Sequence, residues 1–233
     1  GMPQAFYNSR LYGVIGNPPD VKFEFLPDYP KMIQPGNNPE ICQYYSFGIL
    51  ALDDCIYQYL STPSISVPQI DARFVGAKLI YSSDKGHTWR NQDGSTPIHL
   101  ESWKERSKNN MVFFNEPGES FGLITVLQMG RNYEQNKDGY VYLYSPNGTL
   151  EGKMNQLVMC RVQKDKILDR KSYQFFAGTN QNGEAAWSSK IEDRAVVSTF
   201  PSGWVNKLPN PYAWHPSVVY YAPLNLYLMA NWG

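Results

Sequence analysis

The chain has 233 residues, with 21 Lys plus Arg against 21 Asp plus Glu, and 15% of it is aromatic. That length can bury roughly 70% of the unfolded surface in one core, so neither disulfides nor metals are required as staples. Basic residues are scattered among acids and aromatics, which excludes the basic stripe that nucleic acid demands, and no apolar run nears the roughly 20 residues of a membrane span.

The N-terminal part, 1–43, is rich in proline and reads as irregular chain with one or two strands, at 10–16 and 22–26, packing on the rest. Gly1 ahead of Met2 reads as a remnant of tag removal. From 44 to 233 the pattern is that of a single β-rich domain. Strands are expected at 46–52, 56–60, 77–82, 122–129, 140–144, 157–162, 173–177, 217–221 and 226–230. Each is a short β-branched or aromatic run punctuated by Gly, Pro, Asn or Asp. Tyr140-Val141-Tyr142-Leu143-Tyr144 alternates aromatic with aliphatic, which gives a pleated strand two distinct surfaces. Only 100–107 reads as a helix.

Three segments repeat the same plan of a strand, a turn and a second strand bearing tyrosine. They are Phe47-Gly48-Ile49-Leu50 with Ile56-Tyr57, Phe121-Gly122-Leu123-Ile124 with Tyr140-Val141-Tyr142, and Ser217-Val218-Val219-Tyr220 with Leu226-Tyr227. Tyr57, Tyr142 and Tyr227 fall at an even interval of 85 residues. Radial repetition of small antiparallel sheets is the signature of a β-propeller. The all-β reading is therefore a propeller, either incomplete or closed by an N-terminal strand.

Ser82-Ser83-Asp84-Lys85-Gly86-His87-Thr88-Trp89 fits S-x-D-x-G-x-T-W at each specified position. This resembles the Asp box of sialidases and related propellers. Ser82, Asp84, Gly86, Thr88 and Trp89 are expected to build a hairpin corner. The carboxylate takes amides the turn leaves unpaired, glycine supplies a positive φ, and the indole packs beneath. The motif is structural. Together with Phe74-Val75-Gly76-Ala77-Lys78-Leu79-Ile80-Tyr81, Asp138-Gly139-Tyr140-Val141-Tyr142, Leu157-Val158-Met159-Cys160-Arg161-Val162 and His215-Pro216-Ser217-Val218, the sequence resembles the domain of unknown function 4185 family. The resemblance covers about 44–232. It implies a bacterial five-bladed propeller related to glycoside hydrolases, a carbohydrate ligand or substrate, and a secreted or periplasmic setting.

Glycoside hydrolysis uses two carboxyl groups facing one pocket. In a propeller the pocket lies on the axis, fed by loops that enter the innermost strands. Those loops offer Tyr44 and Tyr45, then Asn115, Glu116 and Glu119, then Trp214 and His215. Glu119 and His215 are the catalytic candidates; Tyr44, Tyr45, Asn115, Glu116, Arg161 and Trp214 are the substrate-binding candidates. Arg161 lies within a strand, where a charge needs compensation, so it either bridges a carboxylate or meets an anionic ligand. A non-catalytic carbohydrate-binding propeller is the rival reading. No cofactor motif is present, and His87, His99 and His215 lack metal-ligand spacing. Cys160, in an apolar strand, is expected to pack in the core.

Overall fold

A computed structural model describes residues 4–7, 10–15, 19–26, 43–67, 70–99, 113–148, 152–201 and 216–230. Strands joined by turns and short 3-10 turns account for their regular structure, with no α-helix among them. Among the described residues no helix is long and apolar enough to cross a membrane. The expected helix at 100–107 lies outside the described residues.

Every sheet is built from antiparallel neighbours. β1 (Gln4–Tyr7), β2 (Arg10–Ile15) and β3 (Lys22–Leu26) form a three-stranded meander in the N-terminal part, one strand more than the sequence pattern announces. β4 (Gln43–Leu52), β5 (Cys55–Val67), β6 (Ile70–Ser82) and β7 (Arg90–Asn91) follow in sequence order as a four-stranded sheet. The third sheet runs β12-β11-β10-β9-β8. Its members are β8 (Thr125–Val126), β9 (Tyr140–Asn147), β10 (Lys153–Gln163), β11 (Gln174–Thr179) and β12 (Ala185–Ser188); β13 (Ser198–Thr199) also pairs with β10. β14 (Ser217–Tyr221) and β15 (Leu226–Ala230) close the chain as a hairpin. Among the described residues no sheet closes on itself as a barrel.

The three hairpins expected from the repeat are β4–β5, β8–β9 and β14–β15, and Gln128 joins them. Its amide donates to the Val218 carbonyl at 2.9 Å, its carbonyl accepts from the Tyr220 amide at 2.8 Å, and its side chain donates to the Ile49 carbonyl at 3.2 Å. The bridge between Gln128 and Val219 is parallel. The first strands of the first and third hairpins thus meet at Gln128, two residues beyond β8. Gly48 serves this approach: a Cβ there would lie 2.9 Å from the Ile124 carbonyl oxygen.

The core follows the two-residue period of the strands. On β9, Val141, Leu143 and Ser145 are buried, and on β10 Val158, Cys160 and Val162 face the same interior. Cys160 is fully buried as expected, and burial pushes its thiol up, out of the reactive range. An aromatic cluster welds the second sheet to the third. Phe113 and Phe114 stand edge-on to Tyr173 at 5.3 and 5.5 Å, Phe114 stacks on Phe121 at 5.5 Å, and Phe121 meets Phe175 at 5.3 Å. Such ring pairs add to the area they bury. The Tyr59 and Tyr173 hydroxyls lie 2.6 Å apart across this seam, and Tyr173 donates to the Ile167 carbonyl at 2.7 Å.

The expected strand at 122–129 shrinks to Thr125–Val126. Phe121 has φ 58°, in the left-handed region, so the chain turns just where the ladder would begin. Gly122 then passes so near the preceding sheet that a Cβ would sit 2.9 Å from the Phe74 carbonyl oxygen. Close contact across sheets displaces regular pairing within one.

The S-x-D-x-G-x-T-W segment forms the corner its chemistry requires. One Asp84 carboxylate oxygen accepts the Thr88 amide at 2.8 Å and the Ser82 hydroxyl at 2.7 Å, and the other accepts the Thr88 hydroxyl at 2.6 Å. Gly86, at φ 97°, sends its amide to Ser82 Oγ at 2.8 Å, and the buried Trp89 donates to the Gly86 carbonyl at 3.0 Å. Burial works to raise the Asp84 carboxyl, but the Thr88 and Ser82 bonds favour the anion and bring it down to about 2.

Candidate functional site

The face of the third sheet opposite its core carries Tyr140, Tyr142 and Tyr144 on β9. Across the ladder Tyr142 pairs with Arg161 and Tyr144 with Met159 on β10. Trp187 arrives from β12, opposite Phe176 of β11. Facing this wall stands the β14–β15 hairpin with Tyr220, Asn225 and Tyr227. Between them lies a cavity of about 510 Å³, floored by Leu127 and Met129 and rimmed by Asn136, Lys137 and Asp138. A concave site with aromatic walls and few polar groups is the common form of a small-ligand pocket.

Arg161 dominates the polar side. Its guanidinium carbon lies 4.1 Å from the Tyr140 ring centre and 4.2 Å from that of Trp187, clamped between two faces. Its Nε donates to Gln174 Oε1 at 2.9 Å, and its charge is felt at the neighbouring Tyr142 hydroxyl. Tyr142 in turn donates to Asp138. The Asp138 carboxylate further accepts Asn136 Nδ2 at 2.8 Å and the Tyr140 amide at 2.9 Å. Burial would raise this carboxyl, but these bonds outweigh it and hold Asp138 below the ordinary range. Tyr142 is pushed up to about 12, by burial first and then by its bond to Asp138. Tyr144, buried beside Tyr227, rises to about 12 as well. Both phenols stay neutral donors at physiological pH.

The loop entering β8 holds the nominated carboxylates. Glu116 and Glu119 are 8% and 4% exposed, flanking and closing a 3-10 turn at Pro117–Glu119. Glu116 forms an ion pair with Arg170 at 2.7 Å, and the Arg170 guanidinium stacks 4.4 Å from the Phe114 ring centre. Asn115 precedes them on the same loop, half-buried. Ser120 donates to Asn147 Oδ1 at 2.9 Å, which also accepts from Arg194 Nε at 2.9 Å. Gly118, Glu119 and Phe121 have φ of 69°, 62° and 58°. Left-handed geometry at two residues other than glycine concentrates backbone strain at this loop.

The structure thus brings Asn115, Glu116 and Glu119 together and sets Arg161 apart, on the wall of the aromatic cavity. Tyr44 and Tyr45 lie on β4, which pairs with β5. Trp214 and His215 lie outside the described residues. Asp138, which is not among the site candidates of the sequence, lines the cavity, and so do Tyr142, Tyr144, Trp187, Tyr220 and Tyr227. The alternation of tyrosines at 140–144 was the signal for part of this wall. Among the described residues, no cluster of three or more His, Cys, Asp or Glu could hold a metal ion.

The fold is thus all-β, with antiparallel hairpins gathered at one residue and an aromatic cavity between two of them. The chain belongs to the family described as Domain of unknown function (DUF4185), which matches residues 48–204. No curated protein matches the sequence. A solved structure described as "a putative hydrolase" from Bacteroides ovatus is similar, with a TM-score of 0.40 and 10% sequence identity. The match covers 94% of this chain and 59% of that one, so this chain spans less than two thirds of its length.

Proposed function

We propose that residues 44–233 form blades of a five-bladed β-propeller, with 1–43 packed against it, and that this domain binds a saccharide in the aromatic cavity. The meeting of the first strands of the first and third hairpins at Gln128 supports the radial arrangement. The binding reading is carried by one observation. A cavity of about 510 Å³ joins the flat faces of Tyr142, Tyr220 and Tyr227 to the hydrogen-bonding groups of Asp138, Arg161 and Asn225. A pyranose presents apolar C–H faces and a polar rim of hydroxyls, and such a site matches both. Asp138 is the one carboxylate among the described residues of its lining, whereas hydrolysis takes two, so binding is favoured over cleavage there.

Binding is measured by titration calorimetry against a panel of oligosaccharides. Tyr227 is 61% exposed, so Tyr227→Ala removes a platform without opening the core. The variant is expected to weaken binding at least tenfold with unchanged circular dichroism. Affinity equal to that of the wild type would sink the proposal.

Cleavage is the second reading, favoured by the strained loop that buries Glu116 and Glu119 beside each other in sequence at the entry to an inner strand. Glu119 would serve as acid, His215 as its partner, and Tyr44, Tyr45, Asn115 and Trp214 as sugar contacts. Release of reducing ends by the wild type and its loss in Glu119→Gln would support this. Equal release by both would exclude it.

A further inference from the structure

We propose that the saccharide carries a carboxylate, a uronate-type sugar, and that Arg161 is the residue that takes it; this rests on the cavity being the saccharide site. Arg161 stands at the middle of β10, between the buried Cys160 and Val162, with its side chain on the opposite, cavity-facing side. A cation in that position requires a reason. Among the described residues it has no ion-pair partner. Its direct contacts are neutral, two ring faces at 4.1 and 4.2 Å and the Gln174 amide oxygen, while the Asp138 carboxylate lies near enough to feel its charge without pairing with it.

Those contacts fix the guanidinium plane without neutralising it. A guanidinium carries five N–H donors, of which Nε goes to Gln174. The remaining fork is held in one orientation between two rings, so little rotamer freedom is lost when an anion binds. A planar, two-oxygen anion is the shape that such a fork engages with two parallel bonds. Asp138 does not meet this need directly, because its oxygens are engaged by Tyr142, Asn136 and the Tyr140 amide.

The charge of the lining agrees. Among the described residues of the lining, Lys137 and Arg161 stand against Asp138 alone, leaving one positive charge in excess. A neutral sugar would leave that excess unanswered in a half-buried site; a carboxylated sugar answers it. The tyrosine faces then take the ring while the fork takes the carboxylate.

Oligogalacturonate, oligoglucuronate and their carboxyl-reduced neutral counterparts are titrated into the whole chain by calorimetry, at 20 mM and 300 mM NaCl. The acidic forms are expected to bind at least tenfold more tightly, with affinity falling as salt rises. Arg161→Gln is expected to bring acidic and neutral forms to the same affinity, while Arg161→Lys keeps part of the preference. Circular dichroism and a thermal melt establish that each variant is folded; the Lys variant carries the test if the Gln variant is not. Equal binding of acidic and neutral forms, with both lost in Tyr227→Ala, would overturn the carboxylate and leave the saccharide site standing. A sulfated oligosaccharide preferred over both would also overturn it. No binding of any of these sugars would overturn both readings.

Discussion

Arg170→Ala removes the cation that stands 2.7 Å from Glu116, whose side chain is 4% exposed against 29% for Arg170. Breaking a buried pair costs about 3–5 kcal/mol, because the remaining charge is stranded in a medium that solvates it poorly. Two features bring the expectation to the lower end. Water reaches part of Arg170, and Arg194 is near enough to feel the Glu116 charge. Loss of the stacking over Phe114 at 4.4 Å adds about 0.5–1 kcal/mol. The sum is about 3.5–4 kcal/mol, or roughly 7–16 °C in Tm for a chain of this size. Glu116→Gln keeps the shape and an acceptor, and is expected to cost about 1–2 kcal/mol. The double variant Glu116→Gln/Arg170→Met strands no charge, so it should be more stable than Arg170→Ala and close to Glu116→Gln. Urea unfolding followed by circular dichroism measures all of these variants and Arg170→Met alone, and the missing additivity between Glu116→Gln, Arg170→Met and their double variant is the coupling between the two residues. Arg170→Ala within about 0.5 kcal/mol of the wild type, the range of ordinary surface changes, would refute the reasoning. The result also bears on the loop, since a carboxylate locked by Arg170 is a brace for Glu119 rather than a reacting group.

The hydroxyl relay gives an asymmetric pair. Tyr173 spends its hydrogen on the Ile167 carbonyl, so Tyr59 is the donor between the two rings; Tyr59→Phe should cost about 1 kcal/mol, and Tyr173→Phe, which strands both a donor and a carbonyl, about 2–3 kcal/mol in the same urea assay. Gly122→Ala would push a methyl to 2.9 Å from the Phe74 carbonyl oxygen and 3.1 Å from the Gly76 nitrogen; backbone cannot step aside as a side chain does, so a loss of about 1–3 kcal/mol is expected by thermal melt. Asp84 has its folded carboxyl brought from 3.8 down to about 2, so its contribution is complete above the unfolded value and is lost as pH falls through the folded one. The urea midpoint should therefore be less steep between pH 4 and 2 in Asp84→Asn than in the wild type, and an identical slope would count against the corner bonds.

Most strands were legible because each is a local pattern: apolar and polar alternation, ended by turn residues. The 85-residue interval of Tyr57, Tyr142 and Tyr227 pointed to three hairpins, and those hairpins form. The Asp84 corner was legible for the same reason, since all its bonds fall within eight residues. The loop carboxylates are visible in the sequence ahead of a strand, but their surroundings are not. Glu116 finds Arg170 across 54 residues, a pairing that no local spacing encodes. Trp187 and Arg161 meet because β12 and β10 both flank β11, and the strand order of a sheet is invisible to periodicity. The shortening of the expected strand at 122–129 comes from Gly122 pressing against Phe74 and Gly76, again a contact between sheets.

The cavity and the core are two faces of the same strands, and this makes their roles separable. Along β9 the residues alternate between half-buried tyrosines and fully buried Val141 and Leu143; along β10 Met159 and Arg161 alternate with Val158, Cys160 and Val162. A slip of one residue in the β9–β10 register would turn the tyrosines and Arg161 into the core and expose the aliphatic row. The aliphatic row is therefore what holds the cavity wall in place, while Tyr142, Tyr144 and Tyr220 of the wall pack in turn against the edge of the core cluster. Substitution of Tyr142 or Arg161 should then leave the sheet register intact, whereas Leu143→Asn would destroy both surfaces at once. Loss of binding in a variant of the cavity face can on these grounds be read as loss of a contact, provided the melt of that variant stays cooperative.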